Sequence, residues 1–111
     1  MVDQPWSILV VEDPLVRKLI AGILTREGYR VAEDETPRAV ERLQDEPQSF
    51  GLLITNKPAS FLDFAETIPL IYVAAAPDPE LARRFRHCAV LSKPFHPRRL
   101  VELTRELSCP L

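Results

Sequence analysis

Three nearly unbroken apolar stretches constrain this chain more than any other feature: Trp6–Val11, Phe50–Thr55 and Pro69–Ala74. Such runs suit strands buried on both faces, the condition of a parallel sheet covered by helices. Prolines placed at helix starts punctuate the intervening chain. Asp13-Pro14, Thr36-Pro37 and Asp78-Pro79 each join a possible capping residue to a proline, and Pro97 opens a last helix. Proline is favoured there because a helix leaves its first N–H groups unbonded.

Helical periodicity follows each start. In the first helix Leu15, Val16, Leu19, Ile20, Ile23 and Leu24 form one apolar face, and Gly28 stands at the left-handed stop. Ala39, Val40 and Leu43 are the inner face of the second helix, which Pro47 closes. Leu81, Ala82 and Phe85 serve the fourth, and Leu100, Leu103 and Leu107 the fifth. Tyr29–Ala32 and Ala89–Ser92 supply two more strands. Only twelve residues separate Asn56 from Pro69, so the third helix, near Phe61–Glu66, has room for one or two turns. Strict alternation of five strands and five helices predicts a doubly wound α/β sheet in a single domain spanning residues 1–111. In such sheets, sites form at the carboxyl ends of the strands. Those ends carry Glu12-Asp13, Asn56, Ala74 and Lys93.

Composition narrows the function. A net charge of −2 argues against a nucleic-acid binder. No apolar run approaches the length of a membrane span, and Met1–Ser7 has no basic residue of the kind a signal peptide carries. Two cysteines, Cys88 and Cys109, are too few for a disulfide framework; Cys88 is expected to fill apolar space and Cys109 to lie in a frayed tail. The expectation is a soluble, reduced, cytoplasmic domain. Only three glycines occur, so no glycine-rich loop can cradle a nucleotide phosphate. His87 and His96 have no partners at zinc spacing, and His96 suits a helix start. Trp6 is expected to pack at the edge of the first strand.

Four motifs in order resemble the receiver domain of two-component response regulators: Ile8–Asp13, Gly28–Val31, Leu52–Asn56 and Leu91–Phe95. The resemblance covers nearly the whole chain and implies a flavodoxin-like, CheY-like sheet of order 2-1-3-4-5. It also implies a working pocket of five parts. Glu12 and Asp13 match the acidic pair that helps hold Mg²⁺, and Lys93 matches the lysine after the fifth strand, whose bond to the following proline is typically cis in the family. The other three positions depart from the family. The phosphoacceptor is Asn56 in place of Asp, the hydroxyl position is Ala74, and the aromatic switch position is Val90. Pro58 matches a backbone metal ligand, in a segment shorter than is usual in the family.

An amide is a far weaker nucleophile than a carboxylate, and an acyl phosphate cannot form on it without loss of its nitrogen. Three carboxylates become two, so Mg²⁺ is expected to bind weakly if at all, and no cofactor is required. The expected function is a pseudo-receiver: a signalling domain that is not an enzyme and acts by protein contact. Lys93 is expected to pair with Asp13, and Asn56 to satisfy nearby backbone groups. Partners would be a histidine kinase, an output protein or a second copy. The arginines Arg83, Arg84, Arg86, Arg98 and Arg99 form a candidate partner surface, although such charge runs are often merely solvated. Two alternatives stay open. One is an orthodox phosphorelay receiver with another acceptor, for which Asp63 is poorly placed; the other is a small enzyme on the same fold, for which no nucleophile–base pair is evident.

Overall fold

The computed structural model describes residues 6–108; Cys109, assigned above to a frayed tail, lies outside them. Five parallel strands, β1 (Ser7–Val11), β2 (Val31–Glu33), β3 (Phe50–Thr55), β4 (Leu70–Ala74) and β5 (Cys88–Ser92), form one sheet of order β2-β1-β3-β4-β5. Four α-helices accompany them: α1 (Pro14–Arg26), α2 (Thr36–Asp45), α3 (Pro79–Arg83) and α4 (Pro97–Ser108). Two 3-10 segments complete the framework, Pro47–Ser49 and Pro58–Phe64. The doubly wound fold and its strand order are as the sequence implies.

The alternation of side chains along each strand divides the core in two. Ile8 and Val10 of β1, with Leu52, Ile54, Ile71 and Val73, pack under α1 and α4 against Ile20, Leu24, Leu100 and Leu103. Leu9 and Val11, with Leu53, Leu70 and Tyr72, pack on the other face against Ala39, Leu43, Phe61 and Phe85. Central strands are apolar almost throughout because both faces are covered, Ser7 and Thr55 being the polar exceptions.

Local signals account for most boundaries. Gly28 has φ 94°, and the N–H groups of Gly28 and Tyr29 bond to the carbonyls of Thr25 and Leu24. That paired closure requires a left-handed residue, and Tyr29 then tucks beside Leu24 in the core. Asp78 caps α3, its Oδ1 accepting the N–H groups of Glu80 (3.0 Å) and Leu81 (3.4 Å). His96 starts α4, its Nδ1 accepting the Arg98 N–H at 3.1 Å.

Several expectations are corrected. The third helix is a 3-10 segment beginning at Pro58, three residues before Phe61, and Phe61 itself has non-helical angles. β2 begins at Val31, leaving Tyr29 as a core residue before the strand. Thr36 is the first residue of α2 and makes no cap bond, and Asp13 likewise caps nothing with its side chain. Pro47 opens a 3-10 turn after α2. Leu15 and Leu19, assigned above to the inner face of α1, point outward, 87% and 55% exposed, because α1 turns Ile20, Ala21 and Leu24 to the sheet.

Candidate functional site at the carboxyl edge of the sheet

The ends of β1, β3, β4 and β5 meet at one edge, which carries Glu12, Asp13, Asn56, Ala74 and Lys93. Glu12 follows β1 directly, and its side chain is fully buried. One oxygen accepts the Asp13 N–H at 2.8 Å; the other lies 3.0 Å from Lys93 Nζ. Lys93 is brought in by the loop after β5. Its N–H bonds to the Ala74 carbonyl at 2.9 Å, extending the β4–β5 pairing past the strands. Its peptide bond to Pro94 is cis. Lys93 therefore pairs with Glu12 and not with Asp13, because Asp13 sits at the exposed mouth while Glu12 points inward. The Asp13 carboxylate makes no ion pair among the described residues.

Asn56 follows β3. Its Oδ1 is buried and has no hydrogen-bond partner, so this oxygen does not satisfy the backbone as expected. The neighbouring turn is held instead by Thr55, fully buried, whose Oγ1 accepts the Lys57 N–H at 3.0 Å. Pro58 is buried at the start of the 3-10 segment, and Ala74 is half-buried at the end of β4. Val90 lies on the edge strand with 41% of its surface exposed.

A cavity of about 280 Å³ opens beside this cluster, lined by Glu12, Asp13, Arg17, Glu35, Asn56 and Lys57 among others. Arg17 was not anticipated. It stands one helical turn after Asp13, a spacing that places both on one side of α1 and could have flagged it. Its Nε is buried without a hydrogen bond, 3.7 Å from Glu33 Oε1. Asp63 is exposed on the 3-10 segment and does not line the cavity.

Mg²⁺, which the resemblance implies, would draw on Glu12, Asp13, Asn56 and the Pro58 carbonyl. These residues fit it poorly. Lys93 already neutralises Glu12, leaving Asp13 as the one free carboxylate of the acidic pair beside an uncharged amide oxygen. A hard dication favours anionic oxygens, and this arrangement supplies few. Among the described residues, no three His, Cys, Asp or Glu side chains are grouped to hold a metal. Burial pushes the Cys88 thiol up to about 11, so it stays protonated at neutral pH and is a poor nucleophile.

The candidate partner arginines are all exposed. Arg83 is engaged by Glu80 at 2.6 Å and Arg99 by Glu102 at 3.3 Å. Arg84, Arg86 and Arg98 have no acidic partner among the described residues.

The chain is 34% identical to the response regulator receiver protein CpdR of Brucella abortus (strain 2308) over 111 aligned residues, covering 85% of this chain and 88% of that protein. The chain belongs to the response regulator receiver family. Solved receivers share its fold. The receiver domain of NtrX from Brucella abortus superposes with a TM-score of 0.72 over 91% of this chain and 97% of its own, at 22% identity. The chemotaxis response regulator CheY4 of Vibrio cholerae does so with a TM-score of 0.74 over 92% and 98%, at 16% identity. No family model matches the chain. As a receiver it is a signalling domain, and no helix among its described residues is long and apolar enough to cross a membrane.

Proposed function

We propose that this receiver is a pseudo-receiver: it takes no phosphoryl group at Asn56, catalyses no reaction of its own and signals by contact with a protein. The observation that carries this reading is the amide at the acceptor position. Acetyl phosphate delivers its phosphoryl group when a carboxylate oxygen forms the new P–O bond and acetate departs. Asn56 has no anionic oxygen to offer. The Glu12–Lys93 pair supports the same reading, since it engages both charged groups that would otherwise await a ligand. Ala74 has no hydroxyl to bond a phosphoryl oxygen, and Val90 no ring to follow it.

The test is intact mass after incubation with Mg²⁺ and acetyl phosphate, comparing wild type with the double variant Asn56→Asp, Ala74→Thr. The wild type should stay unmodified, and the double variant should gain one phosphoryl group. An adduct on the wild type overturns the reading and makes an orthodox receiver with another acceptor the answer.

A further inference from the structure

Lys93 and Glu12 follow strands that are not neighbours. In the sheet order β3 and β4 lie between β1 and β5, so the two backbones stand three strand spacings apart, about 14 Å. Their side chains nevertheless come within 3.0 Å, and they do so by reaching toward each other over the carboxyl ends of the intervening strands. Asn56 stands at the end of β3, directly under that span. It is also next to Glu12 across the β1–β3 pairing, in which Val11 is opposite Thr55. Its Oδ1 is buried and has no donor, and Ala74 at the end of β4 offers none. A buried carbonyl oxygen left unpaired is costly, and nothing else at this edge accounts for it. One point of the fold thus gathers an amine, a carboxamide and a fully buried carboxylate, with water kept from the amide oxygen.

We propose that Lys93 condenses with Asn56 into an intramolecular isopeptide bond, with Glu12 as the acid and base. A proton first passes along the 3.0 Å contact from Lys93 Nζ to Glu12 Oε2, leaving a neutral amine and a carboxylic acid. The Nζ lone pair then attacks Asn56 Cγ, and the carbonyl electrons move to Oδ1, which takes the proton of Glu12. That proton donor is what the unpaired Oδ1 lacks. Glu12, a carboxylate again, carries a proton from the new Nζ–Cγ ammonium to Nδ2. The Cγ–Nδ2 bond breaks, ammonia departs, and the Oδ1 proton returns to Glu12 as the carbonyl re-forms. No other reactant is consumed. Amides are poor electrophiles in free solution; here the amine is held against one, which raises its effective concentration, and a buried acid stands ready to polarise the carbonyl. The ion pair described above is the state before condensation. The proposal goes beyond the pseudo-receiver reading: the amide that accepts no phosphoryl group becomes the electrophile of a bond that ties the end of β3 to the loop after β5.

The test is to age the purified full chain at neutral pH and follow its intact mass over days, with tandem mass spectrometry of its proteolytic peptides. The chain should become lighter by one ammonia and yield a branched peptide joining Lys93 to Asn56. Glu12→Gln keeps the buried shape but cannot shuttle a proton, and should slow the loss at least about tenfold. Lys93→Arg keeps a cation opposite Glu12 without a nucleophilic amine, and should abolish the branched peptide. Lys18→Gln, exposed on α1, should change nothing. An unchanged mass after weeks overturns the proposal, as does a branched peptide formed equally fast by Glu12→Gln. So does loss of ammonia without the branched peptide, which is Asn56 cyclising on its own backbone, or conversion of Asn56 to Asp, which shows that water reaches Cγ before Lys93 does. The pseudo-receiver reading fails on a different signal, the gain of a phosphoryl group, so the two failures are told apart in one spectrum.

Discussion

Glu12 and Lys93 form a pair whose halves are not equivalent. The carboxylate is fully buried, while the lysine side chain retains 27% of its exposure. Removing the lysine strands a buried charge; removing the carboxylate's charge frees an ammonium that can turn to water. Lys93→Met should therefore destabilise the fold by about 3 kcal/mol. Glu12→Gln should cost under about 1 kcal/mol, since the amide oxygen can still accept the Asp13 N–H. Urea midpoints at unchanged slope measure both. Equal losses would mean that the pair contributes nothing through burial. The same inequality explains why the sequence alone misassigned the partner: Glu12 and Asp13 are adjacent, and only the inward turn of one carboxylate chooses between them.

At the scale of elements, the departure from a full third helix is compensated by one ring. The 3-10 segment Pro58–Phe64 covers its stretch of sheet with Phe61, which has no exposed surface. Phe61→Ala should cost about 3–5 kcal/mol in chemical denaturation, as for other fully buried aromatics. A loss below about 1 kcal/mol would show that the segment only bridges β3 to β4. The short crossover was legible in the count of residues before Pro69, and the strands in their apolar runs. Whether the crossover would be α or 3-10 was not, because backbone choice over one or two turns follows from where Phe61 must land. Helix α1 carries the complementary lesson. Its periodicity is apolar over a wider arc than one neighbour can cover, so counting residues cannot say that Leu15 and Leu19 are left outside.

For the whole molecule, the two apolar layers share one sheet and cannot melt apart, since each central strand contributes side chains to both. Unfolding followed by Trp6 fluorescence and by far-UV circular dichroism should give coincident transitions. Separate midpoints would mean that one layer survives the loss of the other. Trp6 is a suitable reporter because its ring lies across Gly51 of β3, where an added Cβ would come within 2.9 Å of several ring atoms.

By itself the sequence determined the strands, the glycine stop at Gly28, the sheet order through its family motifs, and the amide of Asn56 at the end of β3. These are local or compositional properties, decided by period, by backbone stereochemistry and by the identity of single residues. The tertiary structure alone decided which acid Lys93 meets, that Arg17 reaches the cavity, and that the Asn56 oxygen is left without a partner. Those outcomes depend on how elements distant in sequence share a limited buried space, and that competition is not written in any one segment.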